Sequence, residues 1–183
     1  MGGAARVAPV TGGIMELVEP MESALRDEFE QRLAAHRAVV FKVAHTYCRD
    51  PDDRAELAQE IAAQLWRAWP SYRADQLFST WMYRVALNTA ISFVRSNARR
   101  RRHFVPLDPE VHDAVDEGAP LDDDPRLERL QRFIARQGAL DRALLLLYLD
   151  ERSHREIADV LGLTETNVST KISRLKQRIR DAR

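Results

Sequence analysis

The sequence predicts an all-α protein: two small helical domains joined by a flexible acidic linker, the second containing a helix-turn-helix. Three observations carry that expectation. Apolar residues recur at three- and four-residue steps over most of the chain, and no segment alternates with the two-residue period of a strand. Glycine and proline are few, seven and eight in 183 residues, and four of the prolines fall between Phe104 and Pro125. An amphipathic pair with good capping residues and a central turn occupies the stretch from Ser153 to Arg180. At 45% hydrophobic and 31% charged residues, the composition suits a folded helical chain rather than a disordered one.

Residues 1–28 begin MGGAARVAPVTGGIM. They lack the basic and continuous apolar segments of a cleaved signal and read as a poorly ordered tail. The first domain is expected over 29–103. Phe29, Leu33, Val40, Ala44 and Tyr47 predict a helix from Phe29 to about Tyr47, ended by RDPDD, where Pro51 and its acidic neighbours make a turn and a fresh N-cap. Leu57, Ile61, Leu65 and Trp69 then recur every four residues until Pro70 stops the helix. The polar loop PSYRADQLFS leads into a long helix from about Ser79 to Arg102.

Residues 104–125 combine four prolines, Gly118 and a DDD run with few apolar anchors. Such a segment has little surface to bury and reads as a linker. The second domain is expected over 126–183, with Leu127, Leu130 and Ile134 marking one helix and ALLLLYL, Ala143 to Leu149, a buried one.

Ser153 and Glu156 have the spacing of a capping box, so a helix starts near His154. Gly162 stands where a left-handed residue ends it, and Thr164 is a good N-cap for the next. Val168, Ile172, Leu175 and Ile179 give that second helix an inward stripe. Its other face is rich in short hydroxyls, which let a helix lie deep in a major groove and reach base edges. Thr166, Asn167, Ser169, Thr170, Lys171, Ser173, Arg174 and Arg178 are the candidate DNA contacts of this helix-turn-helix.

The formal net charge is zero, which by itself argues against a nucleic-acid binder. The distribution reverses that argument. RSNARRRRH, Arg95 to His103, holds five arginines and no carboxylate; the linker carries only acidic charges; Val168 to Arg183 holds six Lys or Arg against Asp181. Two basic segments with an acidic one between them point to an anionic partner.

Other functions find little support. No apolar run approaches the roughly 20 residues of a membrane span. The lone cysteine, Cys48, forms no internal disulfide and suits a reducing, cytoplasmic setting. His45 and Cys48 have H-x-x-C spacing, but no second pair completes a metal site. There is no phosphate-cradling glycine loop and no nucleophile elbow, so neither catalysis nor a cofactor is expected.

FSTWMYRVALNTAISFVRSNARRRR resembles the most recognisable segment of the sigma-70 family, in its extracytoplasmic-function (ECF) type. Phe78, Thr80, Trp81, Tyr83, Arg84, Ala86, Asn88 and Ala90 fall in step with the family pattern. DRAELAQEIAAQLWRAW resembles the family's polymerase-binding helix, and the chain from Ser153 its second promoter-reading domain. The resemblance implies an alternative bacterial sigma factor that binds core RNA polymerase and directs promoter-specific initiation. It implies that 29–103 is region 2 and 126–183 region 4. Asp53, Glu56, Gln59 and Glu60 would then contact the polymerase. Tyr72, Trp81, Arg84, Asn88, Ser92, Arg95, Arg99 and Arg100 would contact and melt the downstream promoter element. Core RNA polymerase and promoter DNA are the implied partners, with an anti-sigma factor or other regulator beside them. Two alternatives stay open. Trp81 and Phe78 also fit a buried stripe, and a polymerase-independent helix-turn-helix regulator bound to an operator would also use the last two helices. One departure stands out: Ala55 occupies a position where the family often has a carboxylate, and Arg54 adds positive charge beside it, which implies weaker or conditional docking.

Overall fold

The computed structural model describes the backbone of residues 12–103 and 125–181 and the side chains of residues 23–99 and 126–181. Every regular element among them is helical. The chain divides into two compact units, residues 1–37 and 38–183.

In the first unit, α1 spans Gly12–Ala35 and so begins inside the segment expected to be a loose tail. From Met21 to Ala35 that segment has no glycine or proline and is rich in good helix formers. The ion pairs Arg26–Glu30 and Arg32–Glu28 add i,i+4 support. The helix stops at His36, whose backbone N–H is shared between the carbonyls of Arg32 and Leu33. The single helix expected from Phe29 to Tyr47 is therefore two helices, α1 and α2 (Arg37–Tyr47).

The second unit continues with α3 (Pro51–Ala68), a single 3-10 turn at Trp69–Ser71 and α4 (Phe78–His103). Asp50 caps α3 by accepting from the N–H groups of Asp52 and Asp53, and Pro51 occupies the first turn, where its missing N–H costs nothing. Leu57, Ile61 and Leu65 are fully buried and Trp69 is 7% exposed, as their four-residue spacing predicts. They face Met82, Ala86, Leu87 and Ala90 of α4, all buried, and among the described residues the α3–α4 pairing is the most extensive helix contact. Small alanines on the α4 stripe let the two backbones approach.

Residues 104–124, the expected linker, lie outside the described residues. Beyond them come α5 (Pro125–Ala135), α6 (Ala139–Leu149), α7 (His154–Leu161) and α8 (Glu165–Asp181). The capping box at Ser153 and Glu156 is complete, and Gly162 ends α7 with φ 67°. Thr164 caps α8 by accepting from Asn167 N–H at 3.2 Å. Ile157, Ala158, Val160, Val168, Ile172 and Leu175 are buried together with Ala143, Leu144, Leu145 and Leu147 of α6.

The two predicted helical sets are in contact with each other. α6 and α7 pack against α4, so both predicted helical sets lie within one compact unit. Local periodicity shows which face of each helix is apolar, but not whether two finished helical sets then close on each other.

Candidate polymerase and nucleic-acid interface

Of the residues assigned to polymerase contact, Glu56 and Gln59 are exposed on α3 and Asp53 and Glu60 half-exposed. Glu60 accepts from Gln64 Nε2 at 2.7 Å and lies 3.8 Å from Arg67, so part of its charge is already matched. Arg54 turns away from this face. Its Nε donates to the Cys48 carbonyl at 2.9 Å, satisfying an acceptor just past the end of α2. Sequence reasoning missed Trp66, which is 43% exposed one position off the buried stripe, at helical spacing from Glu56, Gln59 and Ala63. That one-residue offset was the available signal.

The aromatic candidates fall on the buried side. Trp81 is 5% and Phe78 7% exposed. Trp69 stacks on Tyr72 at 5.2 Å with planes 10° apart; Tyr72 lies edge-on to Phe78 at 5.5 Å, and Phe78 sits 5.4 Å from Trp81. This cluster anchors the turn between α3 and α4, and edge and offset contacts of this kind add to ordinary burial. A base could stack on Trp81 only by dismantling it. The half-buried Tyr72 donates its hydroxyl to the Gln76 carbonyl at 3.1 Å and stiffens the loop Arg73–Leu77.

The polar candidates fall on the opposite side of α4. Arg84, Asn88, Ser92, Arg95 and Arg99 are all exposed and follow at steps of four, four, three and four, which makes one continuous stripe. Arg100 lies outside the described side chains. The middle of the stripe borders a groove of about 480 Å³ between α3 and α4, lined by Glu56, Glu60, Gln64, Asn88, Ser92 and Ser96 among others. The structure thus brings together residues that the sequence assigned to two different partners.

On α8, Thr166, Asn167, Thr170, Ser173 and Arg174 are exposed, and Ser169 and Lys171 half-exposed. Thr170 back-bonds to the Thr166 carbonyl at 2.9 Å. Arg178 is engaged at home, 2.8 Å from Asp141 of α6. The Lys176 ammonium sits 4.3 Å over the Tyr148 ring, a cation–π contact that also holds α8 to α6.

Between the α3–α4 pair and the helix-turn-helix lies a polar cluster that no local sequence signal announces. Asp150, at the end of α6, accepts from Tyr83 Oη at 2.8 Å and from Lys42 Nζ. Arg152 lies with its guanidinium 5.4 Å over the Tyr83 ring and its Nε 3.6 Å from Asp150 Oδ2. Burial works to raise the Asp150 pKa, but the hydrogen bonds from Lys42 and Tyr83 and the charges of Lys42 and Arg152 outweigh it and hold it below 3.8. Tyr83 is pushed up by burial and then by its bond to Asp150. Glu151, with φ 58°, makes the left-handed turn that ends α6 here. Around the cluster, Arg84 Nη2 donates to the Asp159 carbonyl of α7 at 2.5 Å, and Tyr47 Oη donates to the Ala139 carbonyl at 2.7 Å.

Among the described residues no group of three or more His, Cys, Asp or Glu is placed to hold a metal ion. Burial, with Asp53 next, raises the Cys48 thiol to about 11, which leaves it an unreactive core residue.

Residues 33–100 match sigma-70 region 2, and residues 128–179 match sigma-70 region 4. The chain belongs to the sigma-70 family. Sigma-70 factors are initiation factors rather than enzymes, and this one is of the ECF type, an alternative sigma factor that binds core RNA polymerase and directs promoter-specific transcription. The RNA polymerase sigma-H factor of Pseudomonas aeruginosa is 25% identical over 174 residues, covering 90% of each chain. The ECF RNA polymerase sigma-E factor of Escherichia coli K12 is 27% identical, covering 89% of this chain and 90% of the other. Among solved structures, CnrH in complex with the cytosolic domain of CnrY superposes with TM-score 0.61 at 19% identity, covering 86% and 88% of the two chains. RpoE in complex with the anti-sigma factor NepR from Bartonella quintana superposes with TM-score 0.64 at 16% identity, covering 84% and 95%. Among the described residues of this sigma factor no helix is long and apolar enough to cross a membrane.

Proposed function

We propose that this sigma factor works in the cytoplasm as a two-part reader, with 29–103 serving as region 2, 104–125 as linker and 126–183 as region 4. The observation that carries the proposal is the single exposed stripe Arg84, Asn88, Ser92, Arg95 and Arg99 on α4. Its ends are cationic and suit backbone phosphates; its middle is neutral. The carboxylates of Glu56 and Glu60 border that middle and repel phosphate, so Asn88 and Ser92 are left to meet base edges, while Arg84, Arg95, Arg99 and Arg100 hold the backbone on either side. Trp81 acts from the core by fixing the loop, and the half-buried Tyr72 is the most exposed aromatic of the cluster. On α8, Thr166, Asn167, Ser169, Thr170, Ser173 and Arg174 read the upstream element, while Lys171 and Arg178 add phosphate contacts.

Polymerase contact is assigned to Asp53, Glu56, Gln59 and Glu60, with Trp66 as an apolar anchor on the same face. The Arg54 Nε is held by the Cys48 carbonyl, which fixes the side chain without cancelling its positive charge, so the weaker docking that this departure implies is retained. Two solved sigma factors of similar fold are complexes with CnrY and with the anti-sigma factor NepR, which supports an anti-sigma protein as a further partner.

The test is co-elution of the purified protein with core bacterial RNA polymerase, followed by transcription from a genomic promoter library. New promoter-specific transcripts are the expected result. Failure to co-elute would overturn the polymerase assignment.

A further inference from the structure

The loop that leads into α4 ends in a projecting leucine. Leu77 is 64% exposed, the highest value among the large apolar side chains described, whereas Phe78 beside it is 7% exposed and packed against Tyr72 and Trp81. The backbone under Leu77 is well fixed. Gln76 N–H donates to the Arg73 carbonyl at 3.1 Å, the Tyr72 hydroxyl donates to the Gln76 carbonyl at 3.1 Å, and the Leu77 carbonyl accepts from Trp81 N–H at 3.2 Å as the first bond of α4. From Leu77 the same face continues at steps of three and four through Thr80, Arg84, Asn88 and Ser92. Leu77, Thr80 and Arg84 line one cleft, and Leu77 keeps its exposure even where that cleft borders α7. An apolar side chain thus stands in line with the proposed DNA stripe, at its N-terminal end.

We propose that Leu77 is a strand-separating wedge: its isobutyl group enters the base stack at the edge of the melted segment and fills the place of a base that has swung out. This rests on the two-part reading proposed above and deepens it. Apolar side chains inserted at a base step are a general means of holding that step unstacked, and they act best when their position is fixed before they meet the duplex. Phe78 and Trp81 are engaged in the aromatic cluster, so they brace the backbone on which Leu77 stands and do not themselves enter the stack. Asp75, the one carboxylate of the loop, is paired with Arg73 at 3.1 Å, so the tip presents no unmatched negative charge to phosphate. Leucine has no hydrogen-bonding group in its side chain. It therefore promotes opening without reading sequence, and reading is left to Asn88 and Ser92.

The experiment uses holoenzyme assembled from the full chain and core RNA polymerase, on a promoter from the genomic library and on the same promoter with a mismatched, preopened downstream element. The variants are Leu77→Ala, Leu77→Met and Asn88→Ala, with helicity checked by circular dichroism; truncating a side chain that is 64% exposed leaves the core intact. Burying a leucine side chain in the opened step shifts the open-to-closed ratio roughly tenfold or more. On the duplex, Leu77→Ala should lower permanganate reactivity of thymines by about that factor, Leu77→Met should keep it, and closed-complex affinity should hold in both. On the preopened template the Leu77→Ala defect should vanish while that of Asn88→Ala persists, because a wedge is needed only to open and a reader is needed afterwards. Equal opening of the duplex by Leu77→Ala and wild type, or an equal loss on both templates, would overturn the wedge and leave the two-part reading standing. A wild type that opens no promoter duplex would overturn the two-part reading itself, and the wedge with it.

Discussion

Tyr83 and Asp150, 67 positions apart, meet at 2.8 Å. This phenol–carboxylate bond ties the α3–α4 pair to the helix-turn-helix, and its acceptor titrates in acid. The folded Asp150 has a pKa lowered from 3.8 because Lys42, Tyr83 and Arg152 outweigh its burial. A lowered folded pKa means the unfolded chain binds the proton more readily. The carboxylate therefore contributes stability in full above about pH 4, and that contribution is lost as pH falls through the folded value. Urea denaturation between pH 7 and pH 2.5 should show an acid loss of stability that is smaller in Asp150→Asn. Glu156, lowered from 4.5 by its bonds to Ser153, should add a second contribution of the same sign, removed in Glu156→Gln.

Gly162 sits at φ +67° with nothing within 4 Å of a Cβ built there. Gly162→Ala should then cost only the left-handed penalty, roughly 1–2 kcal/mol, with no steric clash to relieve. Thermal melting should fall by several degrees while the helical signal at low temperature stays constant.

Arg174 is exposed on α8 beside Thr170 and Ser173, whereas Arg178 is paired with Asp141. Arg174→Ala should weaken promoter binding by about 1–3 kcal/mol if it meets a base. Arg178→Ala should have a smaller effect, since its guanidinium must first leave Asp141. Mobility-shift titrations at two salt concentrations separate the two.

Asn88 lies mid-stripe on α4, next to a carboxylate-lined groove. Asn88→Ala should impair promoter opening more than initial binding. Permanganate reactivity of exposed thymines should drop while the closed-complex affinity holds; equal losses in both would remove Asn88 from strand capture.

Trp66→Ala and Glu56→Arg should each reduce co-elution with core polymerase, by about 1–2 kcal/mol or more where the side chain is a buried anchor. Trp66→Ala should lower the melting temperature less than Trp69→Ala does, because Trp66 is 43% and Trp69 only 7% exposed.

Much of this was legible in local sequence. Leu57, Ile61, Leu65 and Trp69 are buried as their spacing predicts, and the Ser153–Glu156 box, Gly162 and Thr164 act as the caps their residue types prescribe. Such features are decided within one or two helical turns, where capping and amphipathicity act alone. The break at His36 was not legible, because nothing in its neighbours interrupts helical spacing. Trp81 and Phe78 fitted either a buried stripe or an exposed stacking surface by spacing alone, and the structure buries both side chains.

By itself the sequence determined most of the helices from α3 onward, their caps, their inward faces and the family, since each depends on residues close along the chain. Only the tertiary structure decided which polar residues share a site. The groove joining Glu56 to Asn88 and the convergence of Lys42, Tyr83 and Arg152 on Asp150 depend on how whole helices pack. A charged side chain on an exposed face carries no local mark of its partner, because an ion pair or hydrogen bond is defined by distance in space and not by spacing along the chain.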